Sequence, residues 1–280
     1  MIRLLSRDPT WKHFIPGGLR PALRPLKRKL IGGPNALRPQ HVVRGIGLAL
    51  LRASSREFRA YTDIFVPEFE RAADWQSGLR DSHYLLYAVA RSLRPAVIVE
   101  VGSARGKSTC TLALACRQNR HGVVYAIDPH ERNPWTDLGV TGDSHEFLRA
   151  RLRLYGLEAW CQVIRASSAQ AASGWSRPID LLFIDGDHTY VGVKHDFEGF
   201  QPWLTPTAIV LFHDTTWEYY RDNPYYRQDI GVPAYMTELQ QAGYHSVTID
   251  AAPGLTLLCP QPGGFDFLPG SLDRSVARGG

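Results

Sequence analysis

The stretch Ala96-Val-Ile-Val-Glu-Val-Gly-Ser-Ala-Arg-Gly106 decides the fold. Its first six residues are an apolar, β-branched run with the length of a buried parallel strand. Glycine at 102 permits a tight turn, and glycine at 106 lets a ligand approach the start of the helix that Lys107 opens. The free amides of such a helix start favour an anionic group such as a carboxylate. Two phosphate-binding patterns come close without fitting. Lys107-Ser108 would end a Walker A loop, but the glycine that this loop needs five residues before Gly106 is Val101. A dinucleotide fingerprint needs glycine where Ala104 stands.

Outward from this turn the chain alternates strand and helix. A helical pattern covers 81–93, and Val123–Ile127 reads as a second strand that stops at Asp128. A long polar connection leads to a helix over 144–155, then to strands over 161–165 and 179–184. A helix near 190–203, a fifth strand over 208–212 and a helix over 232–242 follow. The last two strands, 245–249 and 255–258, are close enough in sequence to form a hairpin. The pattern predicts an α/β fold with a doubly wound, mostly parallel seven-stranded sheet. Ligands then bind beyond the carboxyl ends of the strands, where strand order reverses.

Composition supports one sizeable core. With 280 residues, 44% hydrophobic and 21% charged, the chain is neither disordered nor a coiled coil. No run approaches the ~18–20 apolar residues of a membrane span. The opening Met-Ile-Arg-Leu-Leu-Ser-Arg-Asp-Pro breaks with charge too early for a secretory signal. Cys110, Cys116, Cys161 and Cys259 are scattered, with no Cys-x-x-Cys pair, so a reducing cytoplasm is expected. Residues 1–60 hold 13 Lys or Arg against Asp8 and Glu57, a charge of +11; the total of +5 leaves −6 for the other 220 residues. Residues 1–60 therefore read as a basic, Pro-rich leader whose segment 41–59 is an amphipathic helix. Residues 61–260 read as the α/β domain, and 261–280 as a flexible tail. The leader is expected to pack its apolar face on the domain; peripheral contact with an anionic inner-membrane surface is the second reading, and nucleic acid the third.

A second constellation closes the fourth and fifth strands. Ile184-Asp-Gly-Asp-His-Thr-Tyr190 and Phe212-His-Asp-Thr215 place Asp185, Asp187, His188, His213 and Asp214 at two strand tips. Neighbouring strands lie about 4.8 Å apart, so these groups share one rim. Such a density of carboxylates and imidazoles points to a metal or acid–base site. Asp187 alone reads as a helix cap.

Glu100-x-Gly102-x-x-x-Gly106 followed by Asp128 resembles the first motifs of class I S-adenosylmethionine (SAM) dependent methyltransferases. The span from Ile98 to Asp214 resembles the branch that includes macrocin- and mycinamicin-type sugar O-methyltransferases and a cephalosporin-hydroxylase-like group. The phrase Ile-Asp-Gly-Asp-His-Thr-Tyr, the helix containing Val193-Lys-His-Asp196 and the closing His-Asp carry that likeness. The resemblance implies SAM bound by Glu100, Gly102, Ser103, Gly106, Asp128, Ser167, Ser168 and Asp185, with Asp128 accepting from the ribose diol. It implies a divalent cation, magnesium or manganese, on Asp185, His213 and Asp214, and His188 as general base. The sugar-methylating members carry Glu where this chain has His213, which favours manganese, iron or zinc over magnesium. The adenine-side loop, often acidic in that branch, reads Ala166-Ser-Ser168.

The expected chemistry is methyl transfer to a hydroxyl of a vicinal diol, most simply a sugar of a glycoside, glycolipid or natural product. A catechol-type acceptor, a metal-dependent hydroxylase and a SAM-binding protein without transfer are the alternatives. The aromatic loop Trp217–Arg227 suits stacking on a ring, or forms an ordered surface lid. A small-molecule or glycan substrate is the expected partner, sequence-specific nucleic acid is not, and a homo-oligomer is left open.

Overall fold

The computed structural model describes residues 75–131, 143–221, 227–249 and 253–260, except Gln76 and Arg80. The basic leader, its helical pattern at 41–59, the start of the 61–260 domain, residues 222–226 of the aromatic loop and the tail after Cys259-Pro260 lie outside the described residues.

The elements run α1 (Ser82–Leu93), β1 (Val97–Val101), α2 (Lys107–Asn119), β2 (Val123–Ile127), α3 (Ser144–Leu154), β3 (Cys161–Ile164), α4 (Ser168–Ser173), β4 (Ile179–Ile184), α5 (Tyr190–Phe200), β5 (Leu204–His213), α6 (Val232–Gln241), β6 (His245–Ile249) and β7 (Leu255–Cys259). The strands form one seven-stranded sheet in the order β3-β2-β1-β4-β5-β7-β6. The pairs from β3 to β5 are parallel, and β7 is antiparallel to both β5 and β6. The final hairpin and the doubly wound sheet thus match the sequence pattern.

Period-two alternation divides the core. Ile98, Leu181, Phe183, Ile209 and Leu211 face one side with α1, α2 and α3, where Leu86, Tyr87, Leu112, Leu114 and Leu148 are fully buried. Val99, Val101, Leu182, Ile184, Val210 and Phe212 face the other side and meet Val193, Phe197 and Phe200 of α5 and Val232, Tyr235 and Leu239 of α6. Both faces are therefore covered, which is why the central strands read as continuous apolar runs.

Three elements differ from the sequence reading. The helix expected to Trp203 ends at Phe200 and tightens into a 3-10 turn, Gln201–Trp203, because Pro202 cannot supply a backbone donor. β5 begins at Leu204 rather than 208, with an irregularity between Ile179 and Leu181 that accommodates Pro206. The short α4 is a polar element that no apolar period announces. Among the described residues, no helix is long and apolar enough to cross a membrane.

Candidate active site

The chain turns back at β1, laying β2 and β3 on one side and β4 and β5 on the other. The crevice outside the β1 and β4 tips is where such sheets bind ligands. Gly102 stands at its floor. Its φ is +88°, its amide donates to the Ile127 carbonyl at 2.9 Å, and a Cβ there would lie 2.2 Å from the Asp185 carbonyl oxygen. Only glycine lets the two tips close on each other in this way. Gly106 also has positive φ, +87°, and opens α2.

The turn clamps Asp128. The Ala104 amide donates to Asp128 Oδ2 at 2.8 Å and the His130 amide to Oδ1 at 2.6 Å. Both Ala104 and His130 adopt positive φ to do so, at 41° and 52°. Each carboxylate oxygen keeps acceptor capacity for a further donor, as a ribose diol requires. Ser103 is buried beside this clamp, and its hydroxyl has no hydrogen-bond partner. An orphaned hydroxyl, a carboxylate with spare lone pairs and a helix start suit the polar groups of SAM.

Glu100 supports the turn from beneath. Its side chain is fully buried, and Thr109 Oγ1 donates to its Oε2 at 2.5 Å. Burial pushes its pKa up to about 8; the Ser108 and Thr109 hydroxyls oppose the rise, and the charges of Asp185 and Asp128 add to it. The residue therefore sits in the crevice floor as a neutral acid.

In the turn that the sequence reading expects on the adenine side, Ser167 caps α4. Its hydroxyl accepts from the Gln170 amide while the Gln170 side chain accepts from the Ser167 amide, a reciprocal capping box. Ser168 opens α4, which packs on α5 beside the buried carboxylate of Asp196, whose Oδ2 has no hydrogen-bond partner among the described residues. The Ser167 hydroxyl expected at SAM is thus engaged within the protein.

Asp185, His188 and Asp214 converge at the β4 and β5 tips, each offering a ligand atom within 4.8 Å of the others. His188 Nδ1 lies 3.1 Å from Asp214 Oδ2. Asp214 reaches this position with φ at +60°, a strained conformation of the kind found at functional sites. Two carboxylates and one imidazole are a donor set that suits a divalent cation.

His213, the third ligand expected from the sequence, stands outside that trio. Its ring is 2% exposed, with Nδ1 2.9 Å from Asp185 Oδ1 and 3.4 Å from Asp214 Oδ1. A Cβ at Gly78 would lie 3.9 Å from its Cε1, so the chain before α1 passes close to the ring. Burial alone would lower its pKa, but the two carboxylates outweigh burial and raise it to about 9. Here His213 fastens the carboxylates together. Asp187 accepts from the Thr189 amide at 2.9 Å, and Thr189 in turn caps α5 through the Gly192 amide.

The sequence reading names Asp196 only within the phrase Val193-Lys-His-Asp196 and gives it no role at the site. Val193, Asp196, Phe197 and Phe200 form the buried stripe of α5, so a carboxylate interrupts an apolar face. That interruption was the readable signal.

A family described as "Methyltransferase domain" matches residues 99–215. The uncharacterized protein y4gI of Sinorhizobium fredii is 27% identical over 157 residues, 52% of this chain. The chain spans only 17% of that relative's length. Among solved structures, the O-methyltransferase TomG of Streptomyces achromogenes, involved in tomaymycin synthesis and in complex with SAM, aligns with a TM-score of 0.52 at 17% identity, covering 80% of this chain and 99% of TomG. A Geobacter sulfurreducens methyltransferase aligns at 0.51 and 19% identity, covering 73% and 96% of the two chains. The SAH-bound methyltransferase PaMTH1 of Podospora anserina aligns at 0.51 and 14% identity, covering 87% and 97%. These structures share the fold, and the family match covers both the glycine turn and the Asp185–Asp214 rim. Residues 99–215 thus match a methyltransferase domain, and the sheet shares its fold with known methyltransferases.

Proposed function

We propose that the protein is an O-methyltransferase that moves the methyl group of SAM to a hydroxyl of a vicinal diol, with a sugar as the acceptor class. The observation that carries this reading is the trio of Asp185, His188 and Asp214, set beside the glycine turn. Oxygen attacks the methyl carbon, the carbon–sulfur bond breaks, and S-adenosylhomocysteine leaves with the electron pair. The hydroxyl proton must go to a base. His188 takes it at Nε2, with Nδ1 turned toward Asp214, the arrangement in which a carboxylate orients an imidazole. Asp185 and Asp214 would hold a divalent cation, which supplies Lewis acidity that makes a weakly acidic hydroxyl easier to deprotonate. The glycine turn and the clamped Asp128 would hold the donor, and so orient its methyl group toward the attacking oxygen.

Two exposed apolar side chains support a ring-bearing acceptor. Tyr219, 75% exposed, lies five residues beyond Asp214, and Val191, 59% exposed, lies three beyond His188. A diol on a ring presents two adjacent oxygens to a cation while its faces rest on such groups.

The test is mass spectrometry of products from a panel of glycosides and catechols incubated with SAM and Mg²⁺ or Mn²⁺. A gained methylene that disappears in excess EDTA is expected. Full transfer in EDTA would remove the cation from the reading, and a gained oxygen would replace transfer by hydroxylation.

A further inference from the structure

We propose that Glu238 is a positioning residue for His188, acting through Tyr190 and the seam between α5 and the start of α6. The proposal deepens the methyltransferase reading, on which the role of His188 as base rests. Tyr190 ends the phrase Ile-Asp-Gly-Asp-His-Thr-Tyr, yet the proposed transfer makes no use of it. It opens α5, two residues after His188. Its hydroxyl donates to Glu238 Oε2, and Lys194, one turn further along α5, donates to Glu238 Oε1 at 2.8 Å. The Tyr190 ring meets the buried ring of Tyr235 edge-on, with centroids 5.9 Å apart. The Lys194 ammonium lies 5.8 Å from one ring centroid and 5.9 Å from the other.

The start of α6 also reaches the base through main chain. The amide of Gly231, which caps α6, donates to the His188 carbonyl at 2.8 Å. A Cβ at Gly231 would lie 2.2 Å from the Tyr190 nitrogen, so the two segments touch backbone to backbone. His188 is thus held on two sides, with Asp214 Oδ2 3.1 Å from Nδ1 and Gly231 on its carbonyl. Val193 and Phe197 pack on Tyr235 and Leu239, but apolar contact is non-directional. Glu238 fixes the register of the two helices at the end nearest His188. Its side chain and that of Lys194 are 42% and 32% exposed, so their ion pair is screened and adds little stability. The consequence is geometric. A slip of α6 passes through the Gly231 bond to His188, and about 0.5 Å added to the Nδ1 contact takes it out of hydrogen-bond range.

The test is NMR of the full chain with ¹⁵N-labelled histidine, which reports which ring nitrogen carries the proton and needs neither SAM nor an acceptor. Spectra are taken at about pH 9, above the ordinary imidazole range. His188, assigned by its absence in His188→Gln, should be mainly the Nδ1–H form, because Asp214 accepts that proton. In Glu238→Ala and Tyr190→Phe the ratio of Nδ1–H to Nε2–H should fall about tenfold, the worth of one hydrogen bond. Glu238→Gln should restore the ratio, since its amide oxygen still accepts from Tyr190. Tyr244→Phe is the control. It cuts the contact in which the Gln201 amide donates to the Tyr244 hydroxyl at 2.6 Å, beyond the far ends of the same two helices, and should leave the ratio unchanged. Thermal melting reports whether a variant is folded; if Tyr190→Phe is not, Glu238→Ala decides. A wild-type ratio in Glu238→Ala, an equal fall in Tyr244→Phe, or a wild type that is mainly Nε2–H would overturn the proposal. A wild type that keeps the Nδ1 proton but binds no SAM would instead overturn the methyltransferase reading.

Discussion

The two halves of the crevice are built from different materials. The half that the proposed function gives to the methyl donor, at the tips of β1 and β2, is made of main chain: Gly102 and Gly106 at positive φ, and the amides of Ala104 and His130 on Asp128. The half that it gives to the acceptor, at the tips of β4 and β5, is made of ionisable side chains: Asp185, His188, His213 and Asp214, with Asp214 alone of these in a left-handed conformation. Main-chain donors cannot titrate and hold one geometry, which suits binding the same donor every turnover. Side chains can exchange protons and ligands, which suits chemistry on an acceptor.

The largest expected effect comes from breaking the seam between the halves. Gly102→Ala places a methyl group 2.2 Å from the Asp185 carbonyl, a backbone atom that cannot rotate away, at a φ of +88°. Destabilisation above about 4 kcal/mol is expected, with SAM binding lost, because clash and backbone strain add. Denaturant unfolding checks the first outcome and calorimetry the second.

Glu100 sits beneath both halves, paired along the sheet with Ala126 of β2 and Phe183 of β4. Burial first, then Asp185 and Asp128, raises its pKa from 4.5 to about 8. The unfolded chain releases this proton above about 4.5 while the folded protein keeps it, so the unfolded state binds fewer protons across that window. Stability from this group is therefore full below pH 4.5 and is lost as pH rises through about 8. Glu100→Gln, neutral at all pH, should flatten that slope and gain a few kcal/mol at pH 8, on the scale of ~1.4 kcal/mol per unit. An unchanged slope in denaturation curves from pH 5 to 8 would show that Glu100 is ionised in the fold.

The comparison also separates binding from chemistry. Asp128→Ala should weaken SAM by about 10- to 100-fold, the worth of one or two hydrogen bonds to a charged acceptor, while leaving Mn²⁺ binding unchanged. Asp214→Asn should do the reverse. Calorimetric titration of each variant with SAM and with Mn²⁺ checks both, and equal losses of both ligands would dissolve the division between the halves.

The donor half was legible in the sequence because its signals are local. Gly102, Gly106 and the strand-end Asp128 stand where turn geometry demands them, and one strand-turn-helix unit suffices to read them. The acceptor half was legible as a set of residues but not as a geometry. His213 and Asp214 are adjacent in the chain, yet only one lies in the trio, because alternate residues at a strand end face opposite ways and His213 is drawn under the chain around Gly78. The approach of α4 to the buried Asp196 gives no local sign, since Ser168 and Asp196 are 28 positions apart and are brought near only by the packing of α4 on α5. Pro202 and Pro206 displaced two element ends through missing donors, which propensity alone places only approximately.

The smallest expected effect sharpens the boundary of the donor half. The sequence reading places Ser167 at the adenine, whereas its hydroxyl accepts from the Gln170 amide at 3.2 Å and contacts Gln170 Oε1 at 3.1 Å. A cap and a ligand contact make opposite demands on a single substitution. Loss of an N-cap costs about 1 kcal/mol of stability and leaves affinity alone; loss of a ligand bond does the converse. Ser167→Ala is expected to lower stability by about that amount, with the SAM dissociation constant within twofold of wild type. Ser167→Asp, which caps as well as serine, should restore the stability. If alanine instead weakens SAM tenfold at unchanged stability, the hydroxyl leaves its cap when the cofactor arrives, and the donor half extends from main-chain donors to a side chain that rearranges on binding.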